Sequence, residues 1–428
     1  MSDPELARAT VRKVTRRFVP ILFLCFIVSF LDRVNVGFAA LTMNEDLGLS
    51  ATAFGLGAGL FFLTYFLFEV PSNLALERIG ARRWIARIMF TWGLLSAATA
   101  FVRGPHSFYG IRLLLGAAEA GFFPGVIFFL TLWIPADSRG RVVATFMAAI
   151  PLANAFGSPV SAVLTRLDGL AGLRGWQWMF LIEALPALLL APIVLKVLID
   201  KPADAAWLST VEREWLRMRL AQDARQNRDT AQRSVLELLR SGLVIRLGIA
   251  YFGITGFTYG LSFFLPQIVK QFGLTLLQTG FVSAIPFAVG AIGMTWWGRR
   301  SDRLAERRFH LLLPLALAAL GLTGSTLVEP PVAKLVLLCL AAFGVFCALP
   351  LYWTVPPKLL APASAAAGIA LINSLGNLSG FVNPYAIGAL KDLTGSFAGG
   401  LQLISVFGVL SLLILGALTR EQHIRSGA

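Results

Sequence analysis

Residues 20–40 read PILFLCFIVSFLDRVNVGFAA, a run long and apolar enough to cross a bilayer that nevertheless holds Asp32, Arg33 and Asn35. A membrane-spanning helix needs about 20 mostly apolar residues, so the length fits. An acid and a base at that depth cost roughly 2.5–3.5 kcal/mol each on insertion scales, unless they pair or face a polar cavity. Residues 112–133, RLLLGAAEAGFFPGVIFFLTLW, repeat the pattern with Arg112 and Glu119. Two acids and two bases inside two apolar runs predict a polar path through a membrane-embedded chain.

The rest of the sequence agrees. The 428 residues are 57% hydrophobic and 14% charged, against about 25% charged in a soluble domain. Twelve apolar runs are legible, at about 17–42, 51–77, 84–101, 107–133, 141–164, 176–198, 243–269, 276–297, 309–328, 332–356, 364–389 and 400–419. The first is expected to be a retained span and not a cleaved signal. The expected fold is an all-α integral membrane protein of twelve transmembrane helices in two six-helix bundles. The bundles cover 1–199 and 242–428, joined by a polar linker over 200–241. The linker carries VEREWLRMRLAQDARQNRD, which reads as a surface helix with Trp207, Trp215 and Leu216 resting on the membrane interface.

A net charge of +14 would point to nucleic acid in a soluble protein, but its placement explains it otherwise. One set of alternating loops carries Arg78, Arg82, Arg83, Arg87, Arg139, Arg141 and the Arg299–Arg308 cluster. The other face has Arg103, Arg166, Arg174, Lys270, Lys334 and Lys391. That asymmetry places both termini and the linker in the cytoplasm, and no nucleic-acid partner is expected. Cys25, Cys339 and Cys347 lie in apolar runs and read as small buried hydrophobes. No GxxxxGK[ST], HExxH or Ser-His-Asp pattern with a supporting context occurs, so an ATP-driven pump and an enzyme are both disfavoured and no cofactor is expected.

The halves echo each other. NLALERIGARR over 73–83 and GRRSDRLAERR over 298–308 both place an acid next to an arginine, followed by a basic cluster. The acids are Glu77 and Asp302, the arginines Arg78 and Arg303. The same offset of about half the chain pairs Arg33 with Thr258. Six-plus-six spans with a repeated loop are the sequence pattern of an alternating-access carrier.

The GRRSDR segment resembles the short acidic-basic loop of the major facilitator superfamily, with Asn73 where the first-half copy would usually have glycine. FLDRVNVGFA, YFLFEVPSNLALERIGARRWIARIMFTWG, RLLLGAAEAGFFPGVIFFLTLWIP, GWQWMFLIEALPA and INSLGNLSGFVNPYAIG together resemble its anion:cation symporter branch over nearly the whole chain. The resemblance implies a carrier in the bacterial cytoplasmic (inner) membrane that moves a small organic carboxylate with protons. Sugar acids, dicarboxylates and aromatic acids are the candidate substrates. It also implies that Arg33 contacts the anion, that Arg112 binds or gates it, and that Glu119 couples protons. Function as a monomer is expected. An exchanger or exporter on the same fold is the alternative, with a non-transporting receptor behind it.

The residues themselves allow more than one arrangement. Asp32 and Arg33 point about 100° apart on a helix, so they cannot share one direction. Arg33 is expected to face a cavity, with Asp32 against a neighbouring helix or the cavity edge; a closed ion-pair network is the competing reading. Asn35 lies on the Asp32 face. Arg112 and Glu119 sit two turns apart on one face, about 10 Å along the axis. The four charges sum to zero, so a carboxylate substrate would compete with the internal acids for the arginines, and protonating Glu119 or Asp32 would free one. Glu69 reads as a gate or helix-end anchor, and Glu183 as a structural partner within the first bundle. Asn373, Asn377 and Tyr259 are expected to meet the substrate from the second half, and Phe263 and Phe264 are candidates for a ring-sized wall. No metal site is expected.

Overall fold

A computed structural model describes residues 4–228, 237–238, 240–360 and 365–426. Every regular element among them is helical. The first half comprises α1 (Pro4–Leu47), α2 (Ala51–Ile79), α3 (Ala81–Ala98), α4 (Pro105–Glu119), α5 (Phe122–Thr131), α6 (Ala136–Met147), α7 (Ala149–Leu164) and α8 (Gly175–Val197). The linker helix α9 (Thr210–Arg228) follows. The second half comprises α10 (Gly242–Lys270), α11 (Leu276–Leu304), α12 (Arg308–Ser325), α13 (Pro331–Tyr352), the single turn α14 (Pro356–Leu359), α15 (Ala365–Asn377), α16 (Ser379–Thr394) and α17 (Ala398–Ser426).

With short interruptions bridged, eleven helices among the described residues are long and apolar enough to cross a membrane. The run expected at about 364–389 is divided at Leu378 into α15 and α16, of 13 and 16 residues. Leu378 itself keeps helical dihedrals, φ −60° and ψ −21°. The fourth expected span is also divided, between α4 and α5, and the fifth between α6 and α7 at Ala148. So many helices of spanning length and apolarity make this a multi-pass membrane protein, in the helical form that satisfies its own backbone groups in lipid.

The two halves meet through glycines. A Cβ on Gly55 would stand 2.1 Å from the Pro384 carbonyl oxygen, and one on Gly388 2.1 Å from that of Ala51. Those contacts join α2 to α16. Gly37 of α1 meets the Ser262 carbonyl of α10 in the same way, at 2.7 Å. Gly280 of α11 meets α7, 2.7 Å from the Ser158 carbonyl. Small residues at such crossings let backbones approach, which drives helix association where lipid offers no hydrophobic contrast. All four contacts lie toward the end of the molecule that holds the 48–50, 271–275 and 395–397 turns. There Asp392 accepts from the amides of Ala51 (3.1 Å) and Thr52 (2.8 Å), placing an anion at the amino end of α2, where the helix dipole favours it.

At the opposite end α9 folds back onto the first half. Trp207 stacks on Trp133 with centroids 5.8 Å apart and meets Phe18 edge-on, and Leu216 is fully buried. These side chains therefore pack against protein, correcting the expectation that they rest on the membrane interface. For Trp207 that packing surface is supplied by Phe18 and Trp133.

Candidate functional site

Arg33 is the centre of the buried polar structure. Its Nη2 forms an ion pair with Oε1 of Glu119, and the same oxygen accepts from Ser29 Oγ at 2.7 Å. Ser29 precedes Arg33 by one turn on the same face of α1, so both reach the acid together. Rings crowd the guanidinium: the centroids of Phe30, Phe61, Phe62 and Tyr65 lie 5.0, 5.2, 5.9 and 5.1 Å from Cζ. That is cation–π range. Nε has no hydrogen-bond partner among the described residues, so the cation keeps an unspent donor. A buried pair of this kind is costly to break, about 3–5 kcal/mol when one partner is removed.

Glu119 is the last residue of α4. Ala120 (φ −53°, ψ 132°) leaves the helix, and Gly121 (φ 84°) turns it into α5. Gly121 is required there twice over, because a Cβ would also sit 2.4 Å from Ser72 Oγ. Placing the acid at a helix break detaches it from the rigid turn that follows.

The four charges do not form one network. Asp32 is buried and accepts from Trp92 Nε1 at 2.7 Å and Ser96 Oγ at 3.1 Å, both on α3. Arg112 is buried too, but Nε donates to the Gly57 carbonyl at 3.4 Å and Nη2 to that of Ala58 at 3.3 Å. Its guanidinium packs 5.0 Å from the Phe61 centroid. Arg112 thus holds the backbone of α2 behind the ring that shields Arg33.

A cavity of about 60 Å³ opens between the halves, bounded by Arg33, Tyr65, Phe123, Tyr259, Asn373 and Asn377 among others. Among the described residues Arg33 is the one charged side chain on its wall. Tyr259 donates to Asn377 Oδ1 at 3.2 Å and packs on Phe62 at 4.4 Å, which links the second half to the arginine cage. Tyr251, Thr255 and Thr258 complete the polar wall. Thr258 therefore stands opposite its half-chain counterpart Arg33. Asp32, Arg112 and Glu119 do not line this cavity. Nor do Phe263 and Phe264: Phe263 backs the Gly37 contact and Phe264 packs edge-on against Phe54.

The remaining candidates lie elsewhere. Asn35 is buried with neither amide atom hydrogen-bonded among the described residues. Glu183 accepts from Ser161 Oγ at 2.6 Å, and Asn35 lies beside it, although the acid's second oxygen has no well-formed hydrogen bond among the described residues. Glu69 is half-buried one turn beyond Tyr65. Glu77, Arg78 and Arg303 are exposed. Asp302 pairs with Arg307 at 2.5 Å, not with its neighbour Arg303. Sequence reasoning missed Ser29, Tyr65, Trp92, Ser96 and Thr255. Trp92 and Ser96 lie four apart on one face of α3, a spacing too common to single them out.

Residues 22–384 match the family description Major Facilitator Superfamily. The chain belongs to that superfamily. This major facilitator protein is 50% identical over 418 residues to a putative tartrate transporter of Agrobacterium vitis, covering 98% of this chain and 96% of that one. It is 43% identical to a quinolone resistance transporter of Acinetobacter baumannii, covering 98% of both chains. Its fold matches the xylose transporter XylE from E. coli in a partially occluded inward-open conformation. That match has a TM-score of 0.74 at 14% identity, covering 94% of this chain and 97% of the other. The major facilitator protein is accordingly a secondary-active transporter of small solutes across a lipid bilayer, related to carriers of the anion:cation symporter type, and not an enzyme.

Proposed function

We propose that this transporter imports a small organic carboxylate by proton symport. The observation that carries the reading is Arg33, which faces the cavity while already held by a buried acid. An entering carboxylate and Glu119 compete for one guanidinium. A proton taken up by Glu119 neutralises it and frees Arg33 for the anion; loss of that proton on the far side restores the pair and displaces the anion. Neutralising charge before it moves through a low-dielectric interior lowers the cost of the journey. Tyr259, Asn373 and Asn377 offer hydrogen bonds to the substrate's other end. Among the described residues a dicarboxylate finds no second cation there and would present that end protonated or hydroxyl-bonded. The close relative named for tartrate supports a hydroxy acid.

In this reading Arg112 gates by holding α2, and Asp32 is a second titrating group braced by α3. Asn35 and Glu183 support that bracing, Glu69 lies along the path beyond Tyr65, and Glu77, Arg78, Asp302 and Arg303 act in the paired loops. The chain forms twelve spans in two six-helix bundles, 1–199 and 242–428, with α15 and α16 as one broken span and 200–241 as linker. It functions as a monomer in a bacterial inner membrane with both termini cytoplasmic, and the glycine crossings then seal the external end. The resistance-named relative supports a second reading, proton-driven export of an aromatic acid through the same ring-lined cavity. Uptake into proteoliposomes with an imposed proton gradient, compared with counterflow without one, decides. Symport requires gradient-driven accumulation of tartrate or a related hydroxy acid; counterflow alone supports exchange, and no flux of any tested anion removes the reading.

A further inference from the structure

A second cavity, of about 690 Å³, lies at the end of the molecule away from the glycine crossings, between the first turns of α1, the start of α6 and α9. Its α1 wall carries Arg8, Arg12 and Arg16. Four-residue spacing puts these arginines on neighbouring turns, where like charges destabilise the helix they share. The other basic residues of this stretch are engaged: Lys13 pairs with Glu212 at 2.6 Å, and Arg17 lies 5.0 Å from the Trp207 centroid. Arg8, Arg12 and Arg16 make no ion pair with any described residue. Across the cavity Arg219 is held at 3.4 Å by Asp137 and 3.7 Å by Asp223. Val11, Val142 and Trp215 supply apolar wall. The lining is therefore strongly cationic and partly greasy.

We propose that this groove binds the phosphate headgroup of an anionic phospholipid. Two features favour a lipid over a free anion. The arginines are interleaved with apolar side chains, which a small hydrated phosphate has no use for. And α1 continues unbroken from the groove into its apolar run: Pro20 and Leu24, one and two turns beyond Arg16, are exposed, giving acyl chains a track beside the headgroup. Basic pockets beside membrane helices have the charge and shape to take such headgroups. The lipid would fasten the start of α1 to α9 and α6, joining the linker to the bundle through a ligand.

The test titrates the purified full-length transporter in neutral detergent with phosphatidylglycerol, phosphatidylcholine or inorganic phosphate, following thermal melting and lipid retention by native mass spectrometry. Phosphatidylglycerol should raise the melting temperature and be retained. The Arg8→Gln, Arg12→Gln, Arg16→Gln triple variant should weaken its apparent affinity on the order of 100-fold, at roughly fivefold for each arginine. A Lys201→Gln, Arg240→Gln, Arg246→Gln variant of equal charge change, at exposed residues outside the groove and the paired loops, should keep the wild-type response, as should substrate binding in both. An unchanged response in the first variant overturns the proposal, and so does an equal response to phosphatidylcholine. Inorganic phosphate matching the lipid at similar concentration would make the groove a free-anion site and overturn it too.

Discussion

Glu119→Gln isolates the competition for Arg33. Glutamine keeps the volume and an oxygen for Ser29 to donate to, while removing the charge opposite the guanidinium. In the wild type a substrate carboxylate must displace a charge-assisted hydrogen bond of about 1.5–3 kcal/mol. In the variant that competitor is neutral, so the anion should bind about 10- to 100-fold tighter at neutral pH. The empty variant should be less stable by about 3–5 kcal/mol, because Arg33 is left buried without its counter-ion. Substrate should then raise its melting temperature more than it does in the wild type. In proteoliposomes the variant should retain counterflow and lose accumulation driven by a proton gradient. Isothermal titration calorimetry and the two flux assays read these effects side by side. Affinity no better than wild type, together with intact gradient-driven accumulation, would refute the competition.

Three further outcomes follow from the geometry. Arg33→Gln should abolish measurable anion binding in calorimetry, whereas Arg112→Gln, outside the cavity wall, should change affinity only a few-fold and slow exchange by loosening α2. Gly388→Leu should separate α2 from α16, because even a Cβ would meet the Ala51 carbonyl at 2.1 Å; a cysteine placed at Thr52 should then label faster than in the parent protein, and unchanged labelling would mean the crossing does not seal that end. The Lys13 ammonium holds the Glu212 carboxyl below its ordinary range. The stabilisation is therefore complete above the unfolded-state glutamate value, about 4.3, and is lost as the pH falls through the depressed folded-state value; Glu212→Gln should remove this acid-dependent release of α9, measured as hydrogen exchange over Thr210–Arg228.

The membrane class and most spans were legible because apolar length is a one-dimensional property. The helix breaks were not. Gly116–Gly121 reads as a packing surface, and nothing in the composition says that the chain leaves the helix at Ala120 directly after its acid. The charged residues were found for a similar reason: an arginine in a 20-residue apolar run is conspicuous. Their partition was not, since whether Arg33 or Arg112 takes Glu119 depends on helix rotation and on which neighbour approaches. Asp32 illustrates the limit best. Its partners, Trp92 and Ser96, lie on another helix 60 residues or more away, and neither is conspicuous in an apolar segment. Tyr259 and Asn377 were legible as polar groups facing inward, yet the bond between them required two helices to be placed.

The glycine crossings between the halves have an entropic consequence. A seam faced with long side chains must freeze their rotamers each time it shuts, at up to about 2 kcal/mol for the longest of them. Where Gly37, Gly55 and Gly388 meet bare carbonyls, and Gly280 the Ala162 methyl and a carbonyl, those positions have no rotamers to lose. Shutting and parting that seam then trades mainly dispersion and solvation at the crossings. This helps keep the sealed and parted arrangements near each other in free energy, a condition for any molecule that must occupy both in every turnover.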